Sequence, residues 1–432
     1  MRSRRILITG LSSYWGGRLA EQLERDPAIE TIVGVDSADP RRELERTEFV
    51  RVGTQHALIR RIVRAARIDT VVDTRMVVDS VTASAGAAHE ANVIGTMNIL
   101  AACSGPDSPV RKVVIKSSAH YYGCEQDDPA FFTEDMERPH APRTPIERDI
   151  VEAEGAIAEF AGRNRQTVVS VLRFANGLGP ELRTSHLSYL TLPVVPTVLG
   201  FDPRYGFIHE EDIVGCLEHV ARHDLPGIYN GAADGVLVLS EILTLLDRPT
   251  LPLLPPVGTG LATTVLRPLG ISIPPEMLAQ LRFGRGLDNR RLKAAGYHYR
   301  YTTRETVLAM AEHLRLRPIL RGARAGGYRY EQAVEEFLRR SPSVRPDRPA
   351  WEDAVDQVED LRRALAAERM GGTPSTGALA EYEALDARQL SELLGSLESG
   401  DLRALRDHER AGPGRADVVA AIDRALAAQP AG

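Results

Sequence analysis

The sequence predicts an α/β fold: a Rossmann-like, doubly wound parallel sheet with a smaller substrate lobe and a C-terminal helical appendage. Two observations predict the sheet. Short apolar runs alternate with segments of helical spacing over about the first 180 residues, and parallel strands joined by crossover helices produce this alternation. The first apolar run also ends in a glycine-containing loop that opens a helix, as in sheets that bind dinucleotides.

The elements follow one another in a regular order. Residues 5–36 predict a strand, a glycine loop, a helix and a second strand, written RILITG, GGRLAEQLERD and TIVGVD. The unit is repeated by FVRV, ALIRRIVRAAR and DTVVD, after which ANVIGTMNILAAC predicts a helix and VRKVVIKSS a strand. TVVSVLRF predicts a further strand. After about residue 180 prolines and loops become frequent, as expected of a smaller lobe that faces a substrate.

The C-terminal part has a different composition. SPSVRPDRPA, at residues 341–350, is a proline-rich break; a charged helix and the flexible segment GGTPSTG follow it. The remaining residues predict about three short amphipathic helices. We therefore predict three parts: an NAD(P)-binding domain at 1–330 with its substrate lobe mainly at 180–320, a helical and proline-rich linker at 331–378, and a small helical module at 379–432. The module is interpreted either as a device for binding a protein partner or as a packing cap or poorly ordered tail.

Composition excludes several classes of function. The net charge is −6 and no basic stripe is interleaved with aromatic residues, which argues against nucleic-acid binding. Three cysteines without CxxC spacing argue against a disulfide framework or a metal site and favour a reducing, cytoplasmic location. The longest apolar region, 251–275, is interrupted by prolines, glycines and Arg267, so no membrane span is predicted. The N-terminal apolar run is too short for a signal peptide.

The segment Thr9–Gly17 lies between a predicted strand and a predicted helix. Glycine at Gly10 lets the backbone turn and approach a pyrophosphate, which would rest on the N-terminus of the helix. Asp36 ends the second strand, where a carboxylate binds ribose hydroxyls and repels a 2′-phosphate, so that NAD is favoured over NADP. The alternative is a tight turn that binds no ligand. Ser13 at the usual central glycine position, with the bulk of Trp15, favours that alternative.

Five further motifs support a family resemblance. They are Asn92–Thr96, Ser117–Gly123, Arg173–Pro180, Phe207–Asp212 and Tyr229–Gly231. With these motifs in order, the chain resembles the NAD-dependent epimerase/dehydratase family over about residues 4–320. This family comprises the extended short-chain dehydrogenases that act on nucleotide sugars. Within it, the chain is similar to actinobacterial UDP-glucose 4-epimerase-like proteins that lack the Tyr-x-x-x-Lys motif.

The resemblance implies a catalytic Ser, Tyr and Lys, and only the serine is present, as Ser118. The tyrosine position is Ile146 and the lysine position is Ile150, while Glu154 matches the family's glutamate. Neither isoleucine can carry a proton or bind a ribose hydroxyl. The two isoleucines instead continue an apolar helical stripe that is typical of core packing. The rest of the stripe is formed by Ala153, Ile157 and Phe160.

Two side chains near Ser118 are candidates for the missing acid or base. His120 is the best of them, because imidazole titrates near neutral pH, although a lone loop histidine is more often structural. Tyr122 belongs to a Tyr-Gly pair that is ordinarily structural. The sequence Ala119-His120 replaces the Asp-Glu pair of the 4,6-dehydratase branch, which disfavours that activity.

The resemblance also implies a set of cofactor and substrate contacts. Two departures affect the cofactor: Gly53 replaces the usual aspartate beside the adenine, and Arg75 with Met76 replaces small residues along the nicotinamide channel. Arg75 would either crowd that channel or pair with a phosphate. The implied cofactor contacts are Gly10, Ser13, Tyr14, Trp15, Gly16, Asp36, Thr74, Arg75, Asn92 and Ser117. The implied substrate contacts are Asn176 and His209.

Two functions therefore remain open at the level of sequence. The first is an NAD-binding, nucleotide-sugar epimerase/dehydratase-like pseudoenzyme that is weakly active or inactive by the standard mechanism. The second is an active NAD-dependent UDP-hexose 4-epimerase, an isomerase, that uses displaced groups such as His120. The expected ligand is a nucleotide sugar or another small molecule. The resemblance implies a homodimer, and the C-terminal module predicts a protein partner.

Overall fold

A computed structural model of the protein describes residues 3–53, 55–254, 273–316 and 415–428, with a few positions between 402 and 410. By its internal contacts the chain divides into two compact units, residues 1–325 and 326–432. The predicted linker at 331–378, with its proline-rich break and charged helix, lies outside the described residues.

The first half of the larger unit alternates strands and helices as predicted. Its strands are β1 (Arg5–Thr9), β2 (Thr31–Asp36), β3 (Thr47–Arg51), β4 (Thr70–Asp73), β5 (Lys112–Ser118) and β6 (Val168–Phe174). Its helices are α1 (Tyr14–Glu24), α2 (His56–Ala65), α3 (Ala85–His89), α4 (Gly95–Cys103) and α5 (Pro145–Arg163). A π-helical turn at Glu90–Ile94 joins α3 to α4, and a 3₁₀ turn at Ala119–Tyr121 follows β5.

The second half contains shorter elements. In chain order they are β7 (Asn176–Leu178), α6 (Ser185–Leu190), β8 (Val195–Val198), β9 (Arg204–Tyr205), β10 (Phe207–His209), α7 (Glu210–Arg222), β11 (Gly227–Gly231), β12 (Leu237–Val238), α8 (Leu239–Leu245), β13 (Thr250–Leu254), α9 (Pro275–Leu278), β14 (Gly284–Arg285), α10 (Arg290–Ala294) and α11 (Thr303–Leu316). The smaller unit contains α12 (Ala416–Ala428), which lies within the predicted helical module. No helix in the described part of the chain is long and apolar enough to cross a membrane.

Seven parallel strands form the main sheet in the order β11-β6-β5-β4-β1-β2-β3, which confirms the predicted fold class. The chain starts in the middle at β1, runs outward through β2 and β3, and returns to β4 on the other side of β1. The order therefore reverses between β1 and β4. In open sheets of this kind the ligand binds at such a reversal, beyond the carboxyl ends of the strands.

Side chains of β5 alternate between the two faces of this sheet, as the pleat requires. Val114 packs with the cluster that includes residues of α1 and α7. Val113 and Ile115 pack with the cluster that includes residues of α2, α4 and α5. The consecutive residues Ser117 and Ser118 at the end of the strand therefore point to opposite faces, which gives them different environments.

The lobe beyond β6 carries three small sheets. They pair β10 with β7, β13 with β8, and β12 and β14 with β9. A separate apolar cluster holds this lobe together; it includes Leu178, Phe207, Leu243, Met277 and Met310. Asn176 begins β7 directly after the main-sheet strand β6 and pairs in register with Phe207 of β10. This arrangement places Asn176 at the junction of the main sheet and the lobe.

Candidate functional site

The loop between β1 and α1 requires glycine at two positions. Gly10 has φ +83°, and a Cβ on it would lie 2.7 Å from Cγ of Arg75. A Cβ on Gly16 would lie 2.1 Å from the carbonyl oxygen of Gly10. Larger residues at either position would push the loop away from α1. The backbone is thus kept close to the helix N-terminus, as phosphate recognition requires.

Ser13 caps α1. Its Oγ accepts a hydrogen bond from the Gly16 amide at 3.0 Å and donates one to the Gly10 carbonyl at 2.6 Å. The serine that departs from the family's glycine pattern is therefore an N-cap residue, one of the preferred types for that role. The amides of Tyr14 and Trp15, in the first turn, have no acceptor within the helix. They give this end of α1 its partial positive charge.

A cleft of about 520 Å³ opens beside this loop. Its lining includes Gly10, Ser13, Asp36, Ser37, Val52, Gly53, Gln55, Arg75, Glu90 and Ala91. The Asp36 carboxylate accepts hydrogen bonds from the amides of Ser12 (3.0 Å) and Ser37 (2.7 Å), so its orientation at the end of β2 is fixed. No atom lies within 4 Å of the position of a Cβ on Gly53. The cleft is therefore open beside the predicted ribose-binding carboxylate.

Arg75 is held in place by Asp73. Its Nε donates to Asp73 Oδ1 at 2.9 Å and its Nη2 donates to Oδ2 at 3.0 Å. Burial opposes ionisation of Asp73, but the Arg75 guanidinium keeps the pKa of this carboxyl below its ordinary value. The Arg75 side chain extends from Gly10, near its Cγ, to Gly95, where Nη1 lies 2.5 Å from the position a Cβ would take. Thr74 does not reach into the cleft, because its hydroxyl donates to the Thr9 carbonyl.

Asn92 lies in the π-helical turn, and its side chain binds backbone. Its Oδ1 accepts from the Val77 amide at 2.7 Å and its Nδ2 donates to the Val77 carbonyl at 2.8 Å. This predicted cofactor residue thus ties the loop after β4 to the helix that carries Glu90 and Ala91. Ser117 is also fully buried, and its hydroxyl donates to Glu154 Oε1 on α5 at 2.5 Å. Both side chains position the structure around the cleft.

The standard tyrosine and lysine positions are occupied by buried hydrocarbon. Ile146 is 2% exposed and Ile150 is fully buried. They pack in one cluster with Met76, Ala88 and Ala153, which we call the apolar plug. The predicted apolar stripe of α5 is therefore buried, and it meets the side chain that follows Arg75. No group in the plug can transfer a proton.

Ser118, His120 and Asn176 line a second, smaller pocket of about 60 Å³ together with His186 and Glu276. The Ser118 hydroxyl accepts from the His120 amide at 3.2 Å. Burial, with the nearby positive charge of Arg285, lowers the pKa of His120 well below 6.5, so the imidazole is neutral at pH 7. Among the described residues His120 Nδ1 has no hydrogen-bond partner. The structure thus brings together three of the predicted catalytic and substrate residues.

The other two predicted residues of this group serve the fold. The Tyr122 hydroxyl donates to Asn230 Oδ1 at 2.9 Å, and its ring stacks on Phe132. Burial raises the Tyr122 pKa above its ordinary value, which disfavours a phenolate. His209 caps α7, accepting from the Glu211 amide at 3.3 Å. A histidine engaged in this way has less freedom to contact a substrate.

Sequence reasoning missed Glu276 and Asp79, which line the second pocket. Glu276 accepts a hydrogen bond from the Ser80 amide at 2.7 Å, across 196 positions of sequence. Neither residue belongs to a motif, so no local signal identifies them.

Glu210, the first residue of α7, lies outside the lining of both cavities and tests how burial shifts a carboxyl pKa in this fold. It is 4% exposed and packs against Gly179, and burial raises its pKa to about 7. Between its unfolded pKa and about 7 the folded state binds more protons, so stability falls as pH rises. The shift corresponds to about 3 kcal/mol. In urea titrations from pH 4.5 to 8.5, we expect Glu210→Gln to gain stability relative to wild type by that amount. Parallel curves for the two proteins would contradict the assignment.

One family model and several known proteins match this chain. The model of the NAD dependent epimerase/dehydratase family matches residues 6–232. An uncharacterized protein of Mycobacterium tuberculosis is 34% identical over 309 residues, which are 69% of this chain and 81% of that protein. An uncharacterized protein of Mycobacterium bovis matches equally well.

Three solved structures have the same fold. MoeE5 in complex with UDP-glucuronic acid and NAD is 21% identical, with a TM-score of 0.55 over 72% of this chain and 99% of that chain. UDP-glucose 4-epimerase of Thermotoga maritima with UDP-glucose is 18% identical, with a TM-score of 0.55 over 72% and 98%. WbmG of Bordetella bronchiseptica with NAD and UDP is 18% identical, with a TM-score of 0.53 over 72% and 94%. At these identities the likeness is one of fold.

Proposed function

Because the chain belongs to the NAD-dependent epimerase/dehydratase family, we propose that it is a nucleotide-binding member that does not perform the family's standard proton transfer. Its ligand at the 520 Å³ cleft is the adenosine end of NAD. Its second ligand is a nucleotide sugar or another small molecule. The observation that carries the proposal is the burial of Ile146 and Ile150 in the apolar plug.

The adenosine half of NAD fits the residues present. Asp36 is oriented for ribose hydroxyls, Gly53 leaves space beside it, and Gly10 with Gly16 lets the backbone approach a pyrophosphate. The nicotinamide half does not fit them, because the position that would hold its ribose is Ile150, fully buried. We therefore derive no step of hydride or proton transfer through this cofactor.

The size of the second pocket supports the same proposal. Its 60 Å³ is room for roughly four or five water molecules. Pro274 and Met277 line the same pocket as Ser118 and narrow it with apolar side chains. Of the two proposed kinds of second ligand, the size of the pocket favours another small molecule over a nucleotide sugar whose hexose enters it.

The test combines binding with turnover. NAD is titrated into the purified protein by calorimetry, and UDP-glucose with UDP-glucuronic acid is incubated with the protein and separated by chromatography. We expect the wild-type protein to bind NAD. We also expect it to form the epimer of either sugar nucleotide no faster than the matched control, Ser118→Ala. Product formation that falls at least about 100-fold in Ser118→Ala would overturn the proposal, since one acid–base group contributes that much.

A second candidate is an active epimerase that uses His120, and one observation favours it. The imidazole lies beside Ser118 with Nδ1 unpaired among the described residues. Its low pKa allows it to accept a proton only weakly near pH 7. In the same assay, turnover lost in His120→Gln would support this candidate, whereas equal product from wild type and His120→Gln would exclude it.

We also infer three properties of the whole protein. The family resemblance implies a homodimer, the helical module at 379–432 predicts a protein partner, and the cysteine content favours a cytoplasmic location. The domain boundaries at 330 and 378 also stay predictions. The division of the chain near residue 325 supports the first of them.

A further inference from the structure

We infer that the cleft beside Gly10 is closed beyond the phosphates, so that it binds ADP as tightly as NAD, with Arg75 as the ligand of the terminal phosphate. This inference rests on the proposed nucleotide binding and narrows its ligand. It departs from the family pattern, in which one dinucleotide spans both halves of the site. The geometry of three features carries it.

The first feature is the separation of the two cavities. The 520 Å³ cleft reaches from Asp36 to Arg75, and the 60 Å³ pocket begins at Ser118. The two share no lining residue among the described parts of the chain. A molecule long enough to contact both would have to pass between them.

The second feature is what fills that passage. Met76 directly follows Arg75, is 7% exposed, and packs on Ile146 and Ile150 in the apolar plug. The plug is close-packed hydrocarbon, in which added volume forces strain. A ribose that entered it would also lose its hydrogen bonds to water without finding partners.

Trp15 forms a second wall on the other face of the sheet. It lies in the first turn of α1, packs against the α1 and α7 core, and its ring lies 3.8 Å from the position of a Cβ on Gly177. The ammonium of Lys116 lies 5.4 Å from the centre of the same ring. Since Gly177 lines the smaller pocket, the indole extends from the glycine loop to the wall of that pocket. Its bulk therefore stands between the glycine loop and Gly177 on this face of the sheet.

The third feature is Arg75. Nε and Nη2 are engaged by Asp73, while the described residues give Nη1 no hydrogen bond. The guanidinium is thus held by Asp73 at the wall of the cleft beside Gly95, while the Arg75 Cγ lies beside Gly10, at the start of the glycine loop. Arginine fixed in this way loses little entropy on binding a phosphate. Arg75 and the helix N-terminus together offer donors to one diphosphate.

The experiment compares ligands on the full-length wild-type protein, so that it needs no variant to fold. Adenosine, AMP, ADP, ADP-ribose and NAD are titrated by calorimetry at one pH and ionic strength. We expect the dissociation constants of ADP and NAD to agree within about threefold, since an unbound nicotinamide half contributes no affinity. NAD binding more than about tenfold tighter than ADP would overturn the inference, because that gain requires contacts beyond the phosphates.

Variants then assign the phosphate ligand. Arg75→Gln should weaken the binding of ADP by about 10- to 100-fold and leave the binding of adenosine unchanged. This is the effect expected from the loss of a charge-assisted hydrogen bond to a phosphate. The matched control is Arg51→Gln, which removes an arginine that pairs with Asp39 outside the residues that line the cleft. Equal loss in both variants, or none in Arg75→Gln, would show that Arg75 is not the ligand.

One further variant separates the inference from the proposed function. Met76→Ala shortens a side chain of the apolar plug. We expect this variant to bind NAD more tightly relative to ADP than the wild-type protein does. If no probe binds the wild-type protein, adenosine included, the proposed function and the inference both fail. If adenosine binds but NAD is strongly preferred over ADP, only the inference fails.

Discussion

Replacing Glu154 by alanine is expected to lower the free energy of unfolding by about 3–5 kcal/mol, because it leaves a buried arginine without its counter-charge. Arg173 Nη2 lies 2.7 Å from Glu154 Oε2, and the two side chains are 3% and 5% exposed. The Arg173 guanidinium also lies 3.4 Å from the centre of the Tyr121 ring. Glu154 accepts a hydrogen bond from the Ser117 hydroxyl as well, so one substitution removes several interactions between α5 and the carboxyl ends of β5 and β6.

Urea unfolding followed by far-ultraviolet circular dichroism measures this loss. The matched control is Glu159→Ala on the same helix, where Glu159 pairs with Arg163 and both side chains are more than half exposed. Exposed pairs contribute little to stability, so the control should unfold close to wild type. A Glu154→Ala midpoint as high as that of the control would show that Arg173 reaches water or another acceptor in the folded protein.

Replacing Ile150 by lysine is expected to cost about 4 kcal/mol at pH 7, since full burial lowers a lysine pKa by about 3 units or more. Ile150 is fully buried in a cluster with Met76, Ala88, Ile146 and Ala153, against which the partly buried Tyr121 packs. The other four members of the cluster carry no charge that would stabilise an ammonium. The unfolded state would bind more protons than the folded state at every pH between the two pKa values. Stability should therefore recover as pH rises toward 10.

A pH series of urea titrations on Ile150→Lys measures this recovery, and Ile150→Met is the control that changes shape but not charge. If the lysine variant were as stable as the methionine variant at pH 7, water or an acidic group would have to reach the plug. That outcome would also contradict the closed passage. A variant with the family's tyrosine at Ile146 and lysine at Ile150 would carry the same cost in stability. Testing whether these two residues produce activity therefore also requires a smaller residue at Met76, which makes room for them.

The sheet could be predicted from the sequence because its signals are local. Strand and helix spacing, the loop at Gly10 and the acidic end of β2 at Asp36 all arise within short segments, and the seven-stranded parallel sheet confirms the fold class they indicated. The burial of Ile146 and Ile150 was predictable for the same reason. Their spacing places them on the apolar face of one helix, whatever that helix packs against.

Site chemistry was less predictable, because it depends on partners that sequence does not show. The sequence left Arg75 either crowding the channel or pairing with a phosphate. In the structure Arg75 forms an ion pair that neither alternative included. Its partner is Asp73, the last residue of β4, whose carboxylate faces the guanidinium. For His120 the residue type alone predicts the ordinary pKa of imidazole, whereas burial and the charge of Arg285 lower the pKa in the structure. Such shifts arise from residues that fold in from distant parts of the chain.

Two residues of the family motifs, one that departs from the pattern and one that matches it, have local roles that motif comparison obscured. Ser13 was interpreted as a lost glycine, and His209 as a substrate contact. In the structure each precedes a helix and caps it with its side chain. Serine directly before a helix is a common N-cap, so the signal for Ser13 was present in the sequence.

The bonds between Asn92 and Val77 have a mechanical consequence. One amide side chain holds both the N–H and the C=O of Val77, and Val77 follows Met76 in the chain. Moving the backbone beside Met76 would therefore cost two hydrogen bonds to one side chain. The segment between the two cavities is thus anchored at its backbone. Shortening the Met76 side chain, as in Met76→Ala, would widen the passage and leave this anchor intact.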